Sequence, residues 1–152
     1  MLINFLPGKP NKITLLLNSD KDGDSIKTFL NKVSGKSPTL AVIKTINGYS
    51  FGGYTTQEWK NGEVKDDNAF VFSIDKKKKY TIKQPEHAIG FWENNCWVFG
   101  NTYNAFVIRD RCKTRNDNFV GSGTYDIKEK YELNGGAEYF IVESFEIYHV
   151  EY

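Results

Sequence analysis

Ser37 to Thr55, SPTLAVIKTINGYSFGGYT, is the stretch whose reading decides the fold. Leu40, Val42 and the stem of Lys44 alternate with Ala41 and Ile43, the period of two that marks a β-strand. Ile46-Asn47-Gly48-Tyr49 follows, an Asn-Gly pair between strand formers and a strong short-range signal for a hairpin. The return strand, Tyr49 to Thr55, carries Gly52-Gly53 among aromatic residues. Two glycines there weaken a strand through backbone entropy. A bulge, a sharp bend or close approach of another part of the backbone is the expected compensation. A glycine nest for an anion would need partner cations and a following helix, which this stretch lacks.

Outward from the hairpin, the pattern is many short strands and few helices. Ile13 to Leu17 reads as a buried strand, ending in the turn formers Asn18 to Gly23. Ile26, Phe29, Leu30 and Val33 fall at i, i+3, i+4 and i+7, which predicts a helix over Ser25 to Val33. Asp24 or Ser25 is its expected cap and Ser34-Gly35 its stop. Ala69 to Ile74 is a strand with Phe70, Phe72 and Ile74 on one face. Lys76 to Lys79 reads as a solvated hairpin tip that protects a sheet edge, or as a contact patch for phosphate or an acidic partner. Tyr80 to Ile82, Cys96 to Gly100 and Ala105 to Ile108 add strands. Arg109 to Asn118 is expected to be a long, net positive loop. In the closing strand, Glu138 to Tyr152, Phe140, Val142, Phe145 and Ile147 share the inner face only if a bulge lies near Ser144. The alternative is that Glu143 or Glu146 is held inside by hydrogen bonds.

With 152 residues, 39% hydrophobic and 26% charged, the chain is sized for one core. The expected architecture is mainly β, a sandwich of two antiparallel sheets with short peripheral helices. It is read as one domain over 1–152 with 1–12 as a short amino-terminal arm. Crossover helices, which a parallel sheet requires, do not recur. A net charge of +1 gives no general bias towards nucleic acid or an anionic membrane. The opening run Met1 to Leu6 is too short for a leader or a span, so a cytosolic or cytosol-facing location is expected.

Three constellations invite chemistry. Asp20, Asp22 and Asp24 of DKDGD suggest an oxygen-ligand metal site, although EF-hand spacing fails: Ser25 and Asn31 stand where glycine and an acid are required. Cys96 or Cys112 would serve a thiol enzyme, with Cys112 among cations that would depress its pKa. His87 would serve acid/base chemistry if Glu143 or Glu146 approached it in space. Gly121-Ser122-Gly123 lacks the spacing of a phosphate loop and reads as a turn.

LLNSDKDGDSIKTF, SPTLAVIKTINGYSFGGYT, AFVFSI and EYFIVESFEIY together resemble the TLDc domain family, over roughly Leu15 to Tyr148. The specific part is Pro38-Thr39-Leu40, Ile43-Lys44, Gly48 and Phe51-Gly52-Gly53. The resemblance implies a two-sheet antiparallel sandwich with short helices and a role in protection against oxidative stress. In several members it implies binding to the cytosolic sector of the vacuolar proton-pumping ATPase. It carries no settled reaction and no cofactor. Asp22, Gly23, Phe51, Gly52, Gly53, Glu143 and Glu146 are family-pattern positions without an assigned role. After the WVFG strand the chain departs from the family pattern, with Asn101 to Phe106 replacing a glycine-rich segment. The expected function is a non-enzymatic protein-interaction module, monomeric as an isolated domain.

Overall fold

The computed structural model describes residues 2–100 and 104–152, with side chains from residue 4 onward. Residues 101–103 of the departure from the family pattern therefore lie outside the described residues. Two six-stranded sheets stack on one another. The first runs in the order β1 (Lys12–Asn18), β12 (Val142–Glu151), β2 (Thr39–Thr45), β3 (Ser50–Thr55), β5 (Phe70–Ser73) and β6 (Lys78–Thr81). The second runs β11 (Tyr139–Phe140), β10 (Asn118–Val120), β9 (Phe106–Arg109), β8 (Cys96–Phe99), β7 (Ile89–Trp92) and β4 (Gly62–Val64). Every neighbouring pair is antiparallel. The mainly-β sandwich read from the sequence is the observed fold.

The β2–β3 hairpin lies in the interior of the first sheet, flanked by β12 and β5. Its loop has three residues, not two: Gly48 N–H donates to Thr45 O at 3.0 Å, and Thr45 N–H donates to Tyr49 O at 2.9 Å. Gly48 has φ +94°, the left-handed position that completes this loop type. Across Gly52 and Gly53 the pairing with β2 and with β5 runs unbroken, so no bulge forms there. The glycines answer to close packing instead. A Cβ at Gly52 would lie 1.9 Å from Ala41 O, and one at Gly53 would lie 2.5 Å from the Phe99 ring of the opposite sheet.

The inner faces meet through aromatic rings. Phe51 packs edge-on to Phe106 at 5.3 Å and to Phe140 at 5.5 Å, and Trp97 lies 5.7 Å from Phe145. Helix α2 (Ile26–Val33) plugs one side of this core. Phe29 stacks on Trp97 at 4.7 Å and meets Trp59 edge-on at 5.3 Å. Ser25 caps the helix, its Oγ accepting from Thr28 N–H at 3.1 Å. Trp59 is buried, its Nε1–H donating to Thr39 Oγ1 at 3.0 Å.

The face shared by Phe70, Phe72 and Ile74 is the outer one of the first sheet. It joins Leu40, Tyr54 and Val150, and Leu6 covers it with Phe5, whose ring stacks 5.4 Å from Phe72. The apolar arm is thus a cover for a second, smaller core, not a loose leader to β1.

Several strand readings change. Ile13 to Leu17 is not buried: β1 is an edge strand, only Leu17 is enclosed, and Leu15 is 44% exposed. A run of leucines cannot distinguish an edge from a centre, because burial there is set by which neighbours arrive. The loop expected over Arg109 to Asn118 is shorter, because Asn118 is fully buried in β10. Its Nδ2 donates to Cys112 O at 3.0 Å and Phe140 O at 3.1 Å, while its Oδ1 accepts from Arg109 N–H at 2.9 Å. One amide side chain therefore pins both ends of the crossing. The closing strand read over Glu138 to Tyr152 is two strands, because Tyr139–Phe140 leaves as β11 of the second sheet and only Val142–Glu151 runs in the first, where the expected bulge is present. Pairing with β2 shifts between Val142 and Ser144, and Phe140, Val142, Phe145 and Ile147 are all buried.

Candidate interaction surface

The chemistry-bearing side chains are mostly committed inside the protein. Cys96 and Cys112 are both buried and unbridged. Burial pushes both thiols above their usual range, and at Cys112 the nearby Asp24 charge adds to it. The depressed thiol expected among Arg109 to Arg115 does not form, because desolvation outweighs the Lys113 cation. His87 does not meet Glu143 or Glu146. Its Nδ1 is paired with Glu63 on β4, in the other sheet from Glu143 and Glu146.

Asp20, Asp22 and Asp24 do not converge on one point. Asp20 Oδ1 accepts from Lys113 Nζ at 2.5 Å, and Asp24 Oδ2 accepts from Lys113 N–H at 2.9 Å. Asp22 Oδ2 accepts from Asn18 N–H at 3.0 Å, and its other oxygen lies 3.8 Å from Lys32 Nζ. The segment is a single helical turn, α1 (Ser19–Asp22), not an open ion loop. Among the described residues no three His, Cys, Asp or Glu side chains are placed to share a metal. The carboxylates fasten this turn to the Arg111–Arg115 segment. Asp110 assists by accepting from Ile26 N–H at 2.8 Å, beside the cap of α2.

Two buried carboxylates escaped the sequence reading. Asp66 accepts from Thr55 Oγ1, Thr56 N–H, Thr56 Oγ1 and Asn68 N–H at 2.7 to 3.0 Å, which closes the loop after β3. Glu132 is 4% exposed in a single 3-10 turn, Glu132–Asn134. The Tyr80 hydroxyl donates to Glu132 Oε2, Lys78 Nζ lies 3.3 Å from the same oxygen, and Glu129 N–H donates to Oε1 at 3.2 Å. Burial works to raise this carboxyl, and the three donors outweigh it, so its pKa stays below the ordinary range. The Tyr80 phenol is pushed up by burial and by the same contact. The only local signal for Glu132 was an acid before Asn134-Gly135-Gly136, since the side chains that hold it, Tyr80 and Lys78, lie more than fifty residues away.

Glu132 forms part of the lining of a groove of about 570 Å³. One wall is Lys76 and Lys78 from the β5–β6 hairpin, the other Lys130 with Gly135 and Gly136, and Tyr49 closes one end. The ring of Tyr49 lies against Gly135, where a Cβ would fall 2.1 Å from it. The lysine run splits accordingly. Lys79 turns away to sit 4.2 Å over the Phe70 ring and donates to Phe5 O at 3.0 Å. Lys78 neutralises Glu132. Lys76 and Lys130 have no carboxylate partner among the described residues.

A family model described as the TLDc domain matches residues 1–151. The chain belongs to the TLDc domain family. Shorter stretches align with curated relatives. The chain is 42% identical over 53 residues to the GTPase-activating protein skywalker of Drosophila melanogaster, covering 35% of this chain and 9% of that protein. It is 32% identical over 65 residues to the MTOR-associated protein MEAK7 of Danio rerio, covering 40% of this chain and 14% of that one. The MEAK7 of Xenopus laevis is 33% identical over 69 residues, 42% of this chain and 14% of its own. The matched segments thus span a small part of the length of these relatives.

In this TLDc domain the positions singled out from the sequence have visible physical duties. Phe51, fully buried, joins the two sheets, and Gly52-Gly53 let strand and opposite sheet close in. Asp22 and Gly23 finish the α1 turn, Gly23 N–H donating to Ser19 O at 3.1 Å. Glu143 stands at the β12 bulge, outside, 3.0 Å from Lys44 Nζ. Glu146 is half-buried near Tyr148, whose phenol is pushed up by burial and by the Glu146 charge. Neither glutamate is held in the core, because the bulge turns Phe145 and Ile147 inward in their place.

Proposed function

We propose that this TLDc domain is a non-enzymatic protein-interaction module, acting in protection against oxidative stress or through the cytosolic sector of the vacuolar proton-pumping ATPase. One observation carries the reading. The thiols, the histidine and the clustered aspartates are occupied in holding the sandwich together, whereas Lys76, Lys130 and Tyr49 remain presented on a rigid groove. Such an arrangement supports recognition better than turnover, which needs a nucleophile or base facing its substrate. The relatives, a GTPase-activating protein and MTOR-associated proteins, fit a domain carried within larger regulatory chains. Among the described residues no helix is long and apolar enough to cross a membrane, and a cytosol-facing site is part of the proposal. The partner surface would be protein, not nucleic acid or lipid.

The test is capture of the purified cytosolic sector of the pump by the immobilised 152-residue chain. Retention of that sector, competed by free chain, is the expected result. A folded domain that retains none of it removes the pump from the reading. Capture from cells after peroxide treatment then tests the stress-linked alternative.

A further inference from the structure

Resting on the interaction reading, we propose that the groove between the β5–β6 hairpin and the Lys128–Gly136 loop receives a short acidic segment of a partner protein. Its volume, about 570 Å³, is within the roughly 300–1,000 Å³ range of sites that enclose a small ligand. That space suits a few side chains of an extended peptide.

The charge of the groove is specific. Lys78 and Glu132 cancel one another through their 3.3 Å contact, and Tyr80 fixes the carboxylate from below. The floor is therefore an internally neutralised pair. Lys76 and Lys130 line the groove from its two elements, with Lys77 beside the first. Glu129 is the one acidic lining residue outside that pair. Lys130 Nζ lies 5.1 Å from the Tyr131 ring centroid, a contact that leaves its charge uncancelled, and two exposed ammonium groups lining one cleft attract carboxylates that enter it. The walls are also firm. Asp75 Oδ2 accepts from Ser50 N–H at 2.7 Å and braces the hairpin turn, while Glu129, Asn134 and Gly136 hold the facing loop by backbone bonds. Preorganised walls lower the ordering cost of binding.

The same neighbourhood restricts the length of the occupant. Asp126, lowered by its contact with Lys128 and by the charges of Lys83 and Lys78, and Asp75, next to Lys76 in the chain, lie outside the lining. A long polyanion such as RNA, or a flat anionic bilayer, would meet these carboxylates as well as the lysines. A peptide with two or three acids meets Lys76, Lys130 and the single lining carboxylate of Glu129. The overall charge of +1 gives no wider field to favour the polyanion.

The experiment is fluorescence anisotropy of the 152-residue chain with a labelled peptide of alternating Glu and Ser. Two variants are compared: Lys76→Glu with Lys130→Glu, and Lys36→Glu as a distant exposed control. The double reversal is expected to weaken binding roughly tenfold or more, and raising salt from about 0.05 to about 0.5 M should weaken the wild type as the cations are screened. Lys36→Glu should leave the affinity unchanged. Equal loss from Lys36→Glu, or no peptide binding by a folded chain, overturns the proposal. Binding to vesicles containing anionic lipid in preference to the peptide overturns it too. The pump sector run against the same double variant separates the two readings. Peptide binding without pump capture leaves the groove assignment standing and removes the pump. Pump capture unaffected by the double reversal leaves the module standing and removes the groove as its contact.

Discussion

Gly52 and Gly53 occupy adjacent positions with unequal constraints. Gly53 faces the Phe99 ring, whose far edge has some freedom to tilt, while Gly52 faces the carbonyl of Ala41 in the paired strand. Gly53→Ala should therefore cost about 1–3 kcal/mol through overpacking. Gly52→Ala should cost more, since the methyl can be accommodated only by prising β2 from β3. Urea titrations of the two variants give the order, and a milder Gly52→Ala would show that the strand can bow at no great cost. The need for something unusual at this pair was readable, because glycines among Tyr49, Phe51 and Tyr54 have no intrinsic reason to be in a strand. Which of bulge, bend or close approach would follow was not. Phe99 comes from 46 residues further on, and no local pattern announces it.

Helix α2 was the element most legible from sequence, since its apolar face and its cap are both local. Ser25→Ala removes the side chain that accepts from Thr28 N–H and should lower stability by about 1 kcal/mol. A larger loss in thermal unfolding would mean that the cap also braces the Asp110 contact at Ile26. The bulge in β12 was legible for a related reason. The apolar alternation changes phase between Val142 and Phe145, and only an extra residue restores one inner face. Strands β4 and β10, each three residues long, are too short to establish a period and went unread, while the two residues of β11 were read as the start of the closing strand. The Phe70–Ile74 face was identified but could not be assigned to inside or outside. That assignment depends on Phe5 and Leu6 arriving to cover it.

Across the whole molecule, Glu132 ties the loop after Tyr131 to the edge strand β6, and its ionisation is linked to folding. The donors around it hold its carboxyl below the ordinary glutamate value of about 4.3, so the unfolded chain takes up this proton first as pH falls. Its contribution is full above the unfolded value and is lost as acidification passes through the folded one. Wild type should accordingly lose stability more steeply than Glu132→Gln as pH falls below about 4.3, although the variant is the weaker protein at pH 7. Parallel pH slopes in denaturant titrations would remove Glu132 from the acid response. The lysine run that frames the groove was visible at once in the sequence. That Lys79 stacks on Phe70, Lys78 neutralises Glu132 and Lys76 lines the groove with Lys130 required the fold.

The position of β12 has a consequence for how the chain comes to be made. This strand is the last one described, yet it is inserted between β1 and β2, residues 146–151 pairing with β1 and residues 142–149 with β2 across the bulge. During synthesis β1 must wait apart from β2, both lips of that gap carrying unsatisfied amide and carbonyl groups. A message interrupted ahead of residue 142 would thus yield a sticky product, not a slightly shortened domain, and quality control would see all or nothing.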